Sequence, residues 1–159
     1  GKPDWLSGFP VQIYCNRTDY MELTAVATQN VATNQNVLFT ETPVRGTSCI
    51  LHREGSGNIT LKGNTNQCRA LYQVTFGANI AVPAGGTAGP ISVAIAIDGE
   101  TLPSSQAIIT PTAAGDFFNV FSMAYAAVPR GCCAAISVEN TSTQEIVVAN
   151  ANIVVTRVA

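Results

Sequence analysis

Residues 71–82, LYQVTFGANIAV, alternate without a break. Tyr72, Val74, Phe76, Ala78, Ile80 and Val82 take every second position. Two is the period of an extended strand, whose successive side chains point to opposite faces. One face is therefore apolar and belongs in a core. The residues between, Gln73, Thr75, Gly77, Asn79 and Ala81, are small or neutral. A strand face wetted by solvent usually recruits Lys, Glu or Arg, and none stands here. A chain with this stretch is expected to build a sheet and to cover its second face with something other than water.

The same signal recurs along the chain. VQIYC (11–15) and MELTAVAT (21–28) read as short strands, and TQNVATNQN as a loop. VLFTE (37–41) reads as a strand, and Cys49 to Leu61 as a hairpin turning around Gly55–Gly57. After PAGGTAGP, which reads as a loop, Ile91, Val93, Ile95 and Ile97 face one way and Ser92, Ala94 and Ala96 the other. Asp98-Gly99 is a tight-turn signal. QAIIT (106–110), FFNVFSMAYAAV (117–128), CCAAISVEN (132–140) and EIVVANANIVVTRVA complete the set. Helical periodicity is almost absent. About nine or ten short antiparallel strands at spacings of about 8–15 residues, punctuated by Gly, Pro, Asn and Thr, predict an all-β jelly-roll sandwich. With 159 residues, one domain with a full core is expected.

Charge then enters the argument. Only 11% of residues are charged against 47% hydrophobic, where about 25% charged is usual. Such a surface is poorly soluble unless part of it is covered. Small neutral side chains are covered without the desolvation cost of a buried charge. The predicted subunit interface is therefore Gln73, Thr75, Asn79, Ala94 and Ala96, with Phe121, Met123 and Tyr125 from the strand that is apolar on both sides. The competing reading is that loops of the same chain cover these faces.

Several function classes are excluded or weakened. A net charge of −2 with no basic run argues against nucleic-acid binding. No apolar stretch approaches the ~20 residues of a membrane helix, so no membrane insertion is expected. The start, GKPDWLSGFP, has no apolar core of a signal peptide; if Gly1 is the natural start, the chain is expected in the cytosol or to leave by another route. The five cysteines, Cys15, Cys49, Cys68, Cys132 and Cys133, show no Cys-x-x-Cys spacing and are expected as free, mostly buried thiols in a reducing compartment, with a disulfide as the alternative.

No catalytic residue, cofactor or metal site is predicted. His52 is the only histidine, and Cys49, three residues away along a strand, faces the other side. Three copies of His52 on a threefold axis are the one metal arrangement worth naming, against the simpler reading of a surface or interface histidine. Asp98, Glu100 and Asp116 read as turn residues, since no Asp-x-Asp-x-Asp calcium loop exists. GGTAG (85–89) lacks the following Lys-Ser/Thr of a phosphate cradle. NRT (16–18), NIT (58–60) and NTS (140–142) are glycosylation sequons, which mean nothing by themselves. Sugar stacking would draw on Trp5, Tyr14 and Tyr20.

The ordered motifs resemble a known family. Gly57, Ile59 and Leu61 precede the long strand; Tyr72, Val74 and Phe76 fill it; Ile95, Ile97, Asp98, Gly99 and Pro103 form a hairpin; Ile153, Val155, Val158 and Ala159 close the chain. Over residues 37–159 this is similar to the C1q/TNF-like jelly roll, in its bacterial and phage branch, such as the globular heads of bacterial collagen-like surface proteins. The resemblance implies a compact threefold homotrimer packed along an apolar axis. Residues 1–36 have no counterpart and are expected to be an arm or extra strands. No Gly-x-y run is present. The function expected on this basis is non-enzymatic: a structural or adhesive bacteriophage virion-surface protein (capsid decoration, head fibre or receptor-binding module) assembled in the host cytoplasm. Its expected partners are other virion proteins or a host cell-surface glycan or protein. The alternatives are a bacterial surface or spore-coat head and a carbohydrate-binding module.

Overall fold

The computed structural model describes residues 19–46 and 48–159. Two six-stranded antiparallel sheets face each other, and no α-helix occurs among the described residues. The strands are β1 (Tyr20–Ala25), β2 (Gln29–Val31), β3 (Glu41–Val44), β4 (Ile50–His52), β5 (Ile59–Lys62), β6 (Arg69–Ala81), β7 (Ile91–Ile97), β8 (Glu100–Thr101), β9 (Ala107–Ile109), β10 (Phe118–Pro129), β11 (Cys133–Asn140) and β12 (Ile146–Arg157). The first sheet runs β10-β6-β12-β1-β3, with β2 also on β12; the second runs β4-β5-β11-β7-β8, with β9 also on β7. From β5 to β6, β6 to β7, β9 to β10, β10 to β11 and β11 to β12 the chain changes sheet each time. That alternation makes the sandwich a jelly roll, the expected class.

The alternation in β6 does what its period requires. Tyr72, Val74, Phe76 and Ile80 are fully buried, and the core continues through Leu23, Phe39, Ile59, Leu61, Ile95, Ile136 and Ile153. Phe39 meets Phe76 edge to face at 6.4 Å, the ring geometry that aromatic quadrupoles favour. The hairpin turn falls at Gly55, whose φ is +90°, and Ile50 pairs with Leu61. Asp98 and Gly99 both have positive φ, 52° and 83°, as the tightest hairpin turns demand.

Two expectations need correcting. VLFTE is not a strand over 37–41; β3 starts only at Glu41. Val37 and Phe39 do point inward, but Val37 N–H donates to Val138 O at 2.8 Å and Phe39 N–H to Ser56 O at 3.2 Å. Two different partners cannot make one ladder. The loop read over 28–36 contains β2, which pairs with β12 at Ile146–Val148. Of residues 1–36, the strands β1 and β2 are integral to the first sheet; 11–15 lies outside the described residues.

The cysteine expectation holds only in part, and Cys15 lies outside the described residues. Cys49 is disulfide-bonded, and Cys68, Cys132 and Cys133, though free, are exposed. Around Cys49 the two ends of the described chain are tied together. Asp19, only 3% exposed, accepts from Tyr20 N–H at 3.0 Å and Cys49 N–H at 3.2 Å. Arg157 N–H donates to Asp19 O at 2.8 Å, and its Nη1 to Cys49 Sγ at 3.2 Å. The guanidinium lies 6.0 Å from the Tyr72 ring centroid, while the Tyr72 hydroxyl donates to Lys62 O at 2.6 Å. Buried polar groups are tolerated when they are partnered in this way.

Candidate interaction face

β10 is the edge of the first sheet and pairs with β6 over its whole length, from Phe118↔Ile80 to Pro129↔Arg69, without a register shift. Period two sends Val120, Ser122, Ala126 and Val128 inward, all buried. It sends Phe121, Met123 and Tyr125 outward, 64%, 46% and 54% exposed. Opposite them on β6 stand Gly77, Thr75 and Gln73, and beyond those on β12 Asn152, Val154 and Thr156. β1 completes the rows with Thr24, Glu22 and Tyr20.

The face is therefore a grid with apolar and aromatic side chains along one edge and short neutral ones across the middle. Glu22 is the one charged residue in these rows, and its Oε2 accepts from Asn152 Nδ2 at 3.2 Å. Gln73 Nε2 donates to Met123 Sδ at 3.0 Å. Asn119 Nδ2 donates to Asn79 Oδ1, and Asn79 Nδ2 to Asn150 Oδ1, both at 3.3 Å. Asn150 sits where β12 bulges, with φ +53°; a bulge re-aims one side chain without ending the strand. Gly77 leaves the middle of the grid flat beside Phe121, an arrangement in which a cross-strand aromatic offsets a glycine's missing packing.

Six of the eight residues expected at an interface thus share this face: Gln73, Thr75, Asn79, Phe121, Met123 and Tyr125. Ala94 and Ala96 do not join them. They lie on β7 in the second sheet, 2% and 0% exposed within the single chain. Side chains of the 3-10 turn Pro103–Ser105 and of the 140–143 turn bond the backbone of that strand. Ser105 Oγ accepts from Ile95 N–H at 2.9 Å, and Ser142 Oγ from Ser92 N–H at 2.8 Å. Sequence reasoning passed over Asn152, Val154 and Thr156, although their same-parity spacing in EIVVANANIVVTRVA carried the signal.

The remaining candidates are placed elsewhere. His52 lies on β4, at the far edge of the second sheet, with Nε2 bonded to Ser56 O at 2.9 Å. The Asp98 carboxylate accepts from Ala135 N–H at 2.8 Å, which is turn chemistry. Among the described residues no three His, Cys, Asp or Glu are grouped to hold a metal ion. Tyr20 is half exposed on the face itself; Trp5 and Tyr14 lie outside the described residues.

No family model and no curated protein matches this sequence. Solved structures match the fold. Eiger TNF from S. frugiperda superposes with a TM-score of 0.64 at 12% identity, covering 89% of this chain and 92% of its own. Murine APRIL gives 0.60 at 12% identity, over 87% of this chain and 98% of its own. The globular domain of zebrafish complement 1qA protein gives 0.58 at 13% identity, over 85% and 94%. The chain thus shares the jelly-roll fold of these TNF and C1q structures.

Proposed function

We propose that this chain is a non-enzymatic head domain that assembles as a homotrimer through the outer face of its first sheet, in a structural or adhesive role. One observation carries the reading: Phe121, Met123 and Tyr125 stand exposed in a row on an edge strand, beside a sheet face with almost no charge. Large apolar side chains grouped this way mark an interaction surface, and neutral neighbours let a second chain cover them cheaply. The TNF- and C1q-like fold agrees with a threefold arrangement. Light scattering coupled to gel filtration tests it. Three times the chain mass is expected for the wild type and one chain mass for Met123→Glu/Tyr125→Glu. A wild-type chain that runs as a monomer at micromolar concentration overturns the reading.

The location proposed is a bacteriophage virion surface, as capsid decoration, head fibre or receptor-binding module, with a bacterial surface or spore coat as the alternative. Its support is the low-charge composition and the head-like fold. The cysteines lend it no support, since Cys49 is disulfide-bonded. Portal or capsid genes beside this one would support the virion; a gene set for cell-wall export would overturn it. A second reading, carbohydrate binding, is favoured by one row of the face, where Tyr125, Gln73, Thr156 and Tyr20 lie side by side. Aromatic planes flanking neutral hydrogen-bonding groups suit a sugar. A glycan array showing no preferred sugar class would exclude it.

A further inference from the structure

Three thiols are gathered at one end of the sandwich. β10 ends at Pro129, and a turn closed by Cys132 N–H on Pro129 O at 3.0 Å leads into β11. Arg130 N–H donates to Cys68 O at 2.9 Å, Gly63 N–H to Cys132 O at 2.8 Å and Gly131 N–H to Gly63 O at 3.0 Å. The 63–68 loop and the 129–132 turn are therefore one hydrogen-bonded unit. Only glycine fits at its centre, because a Cβ on Gly63 would lie 2.1 Å from Pro129 O. The unit holds Cys68 and Cys132, with Cys133 next in line, and all three are free and exposed.

Exposed thiols do no packing work, so burial does not explain them. Nor are they grouped as ligands of one metal ion. Cys49 is already disulfide-bonded, and conditions that preserve that bond also oxidise accessible thiols. Three is an odd number, so pairing within the chain always leaves one over. The unit caps the Arg69 and Pro129 ends of β6 and β10, the two strands that carry the exposed face. It is thus continuous with the surface through which copies are proposed to meet.

We propose that this unit is a covalent cross-linking site between copies of this chain; the inference rests on the assembly reading above. The oxidant is a small-molecule disulfide such as oxidised glutathione. A thiol from one copy loses its proton, attacks a glutathione sulfur and releases one glutathione thiolate. A thiol from the neighbouring copy loses its proton and attacks the protein sulfur of that mixed disulfide, releasing the second. Two protein thiols give up two electrons and two protons, and one glutathione disulfide becomes two glutathiones.

The test exposes the full chain to oxidised glutathione at low micromolar protein, followed by non-reducing gel electrophoresis and intact mass. Covalent dimer and trimer bands are expected, reversed by dithiothreitol and absent from Cys68→Ser/Cys132→Ser/Cys133→Ser. Bands at the single-chain mass alone, with glutathione adducts or one internal disulfide, overturn the proposal. So does a ladder that lengthens in proportion to protein concentration, the mark of random collision. Light scattering on the untreated chain separates the two claims: a trimer that never cross-links sinks this inference alone, and a monomer sinks both.

Discussion

Two strand faces in this protein look alike in sequence and end in opposite environments. On β7, Ser92, Ala94 and Ala96 alternate with Val93, Ile95 and Ile97; on β6, Gln73, Thr75, Gly77 and Asn79 alternate with Tyr72, Val74, Phe76 and Ala78. Neither outer set carries a charge. The β7 set is buried by its own chain, and no second molecule is needed to explain its composition. The β6 set is half-buried and lies beside exposed Phe121, Met123 and Tyr125. A missing charge therefore does not tell a face buried by its own chain from one left accessible. The 3-10 turn at Pro103–Ser105 bonds the β7 backbone at Ile95 through Ser105 Oγ. Ser122 of β10 donates to Ser105 O, so the same turn also fastens the edge strand.

The sharpest way to break this comparison is to put the same charges on both faces. Ala94→Glu/Ala96→Glu places two carboxylates where no water reaches, at several kcal/mol each. The chain is expected to lose cooperative unfolding by circular dichroism. Met123→Glu/Tyr125→Glu is expected to change the stability of the isolated chain by less than about 1 kcal/mol while the assembly falls apart. If the β7 double mutant instead folds normally and only dissociates, the two faces have been assigned the wrong way round.

The inward faces make a smaller contrast, because both sheets contribute to one core. Phe76→Ala removes a fully buried ring and its edge contact with Phe39. A loss of about 3–5 kcal/mol is expected by chemical denaturation. A loss below about 1 kcal/mol would mean that the two sheets are not held together at this point.

Next in size is an effect of pH at the end of β6. Burial pushes the Tyr72 hydroxyl up from 10.0 to about 12, opposed in part by the Arg157 guanidinium. The folded state thus holds this proton more tightly than the unfolded chain does. Its contribution is complete below pH 10 and is lost as pH climbs from there to about 12. The decline is expected to be on the order of 2 kcal/mol. Tyr72→Phe should flatten stability over this interval, after paying about 1 kcal/mol for the lost bond to Lys62 O. An unchanged alkaline decline in the variant would assign it to other groups.

How much of this was legible in advance follows from the range of each interaction. The β6 alternation, the Gly55–Gly57 hairpin and the Asp98-Gly99 turn are local, and each lies where the residues put it. VLFTE was misjudged because its inward pattern is local but its hydrogen bonds go to Val138 and Ser56, far along the chain. Ala94 and Ala96 could not be separated from Gln73 and Thr75 because the burial of an outer face is set by long-range packing that no strand pattern encodes. The state of Cys49 and the exposure of the other thiols depend likewise on which loops meet. The outward placement of Phe121, Met123 and Tyr125 was legible, since a strand with two apolar faces can bury only one of them inside its own sandwich.

The smallest expected effect lies where the chain does carry charge. Arg45, just after β3, and Glu54, in the turn between β4 and β5, approach to 3.6 Å, with side chains 78% and 53% exposed. Water screens such a pair, and ordering two long side chains offsets most of the attraction. Arg45→Ala, Glu54→Ala and the double variant should each fall within about 0.5 kcal/mol of the wild type, with no more than that as the coupling between them. None should alter the assembled mass. The double-mutant cycle matters to the comparison of faces because it measures an ordinary wet part of this surface. A coupling above about 1 kcal/mol would mean that this pair is shielded by another chain, and the covered surface would then extend to the β4 side of the sandwich.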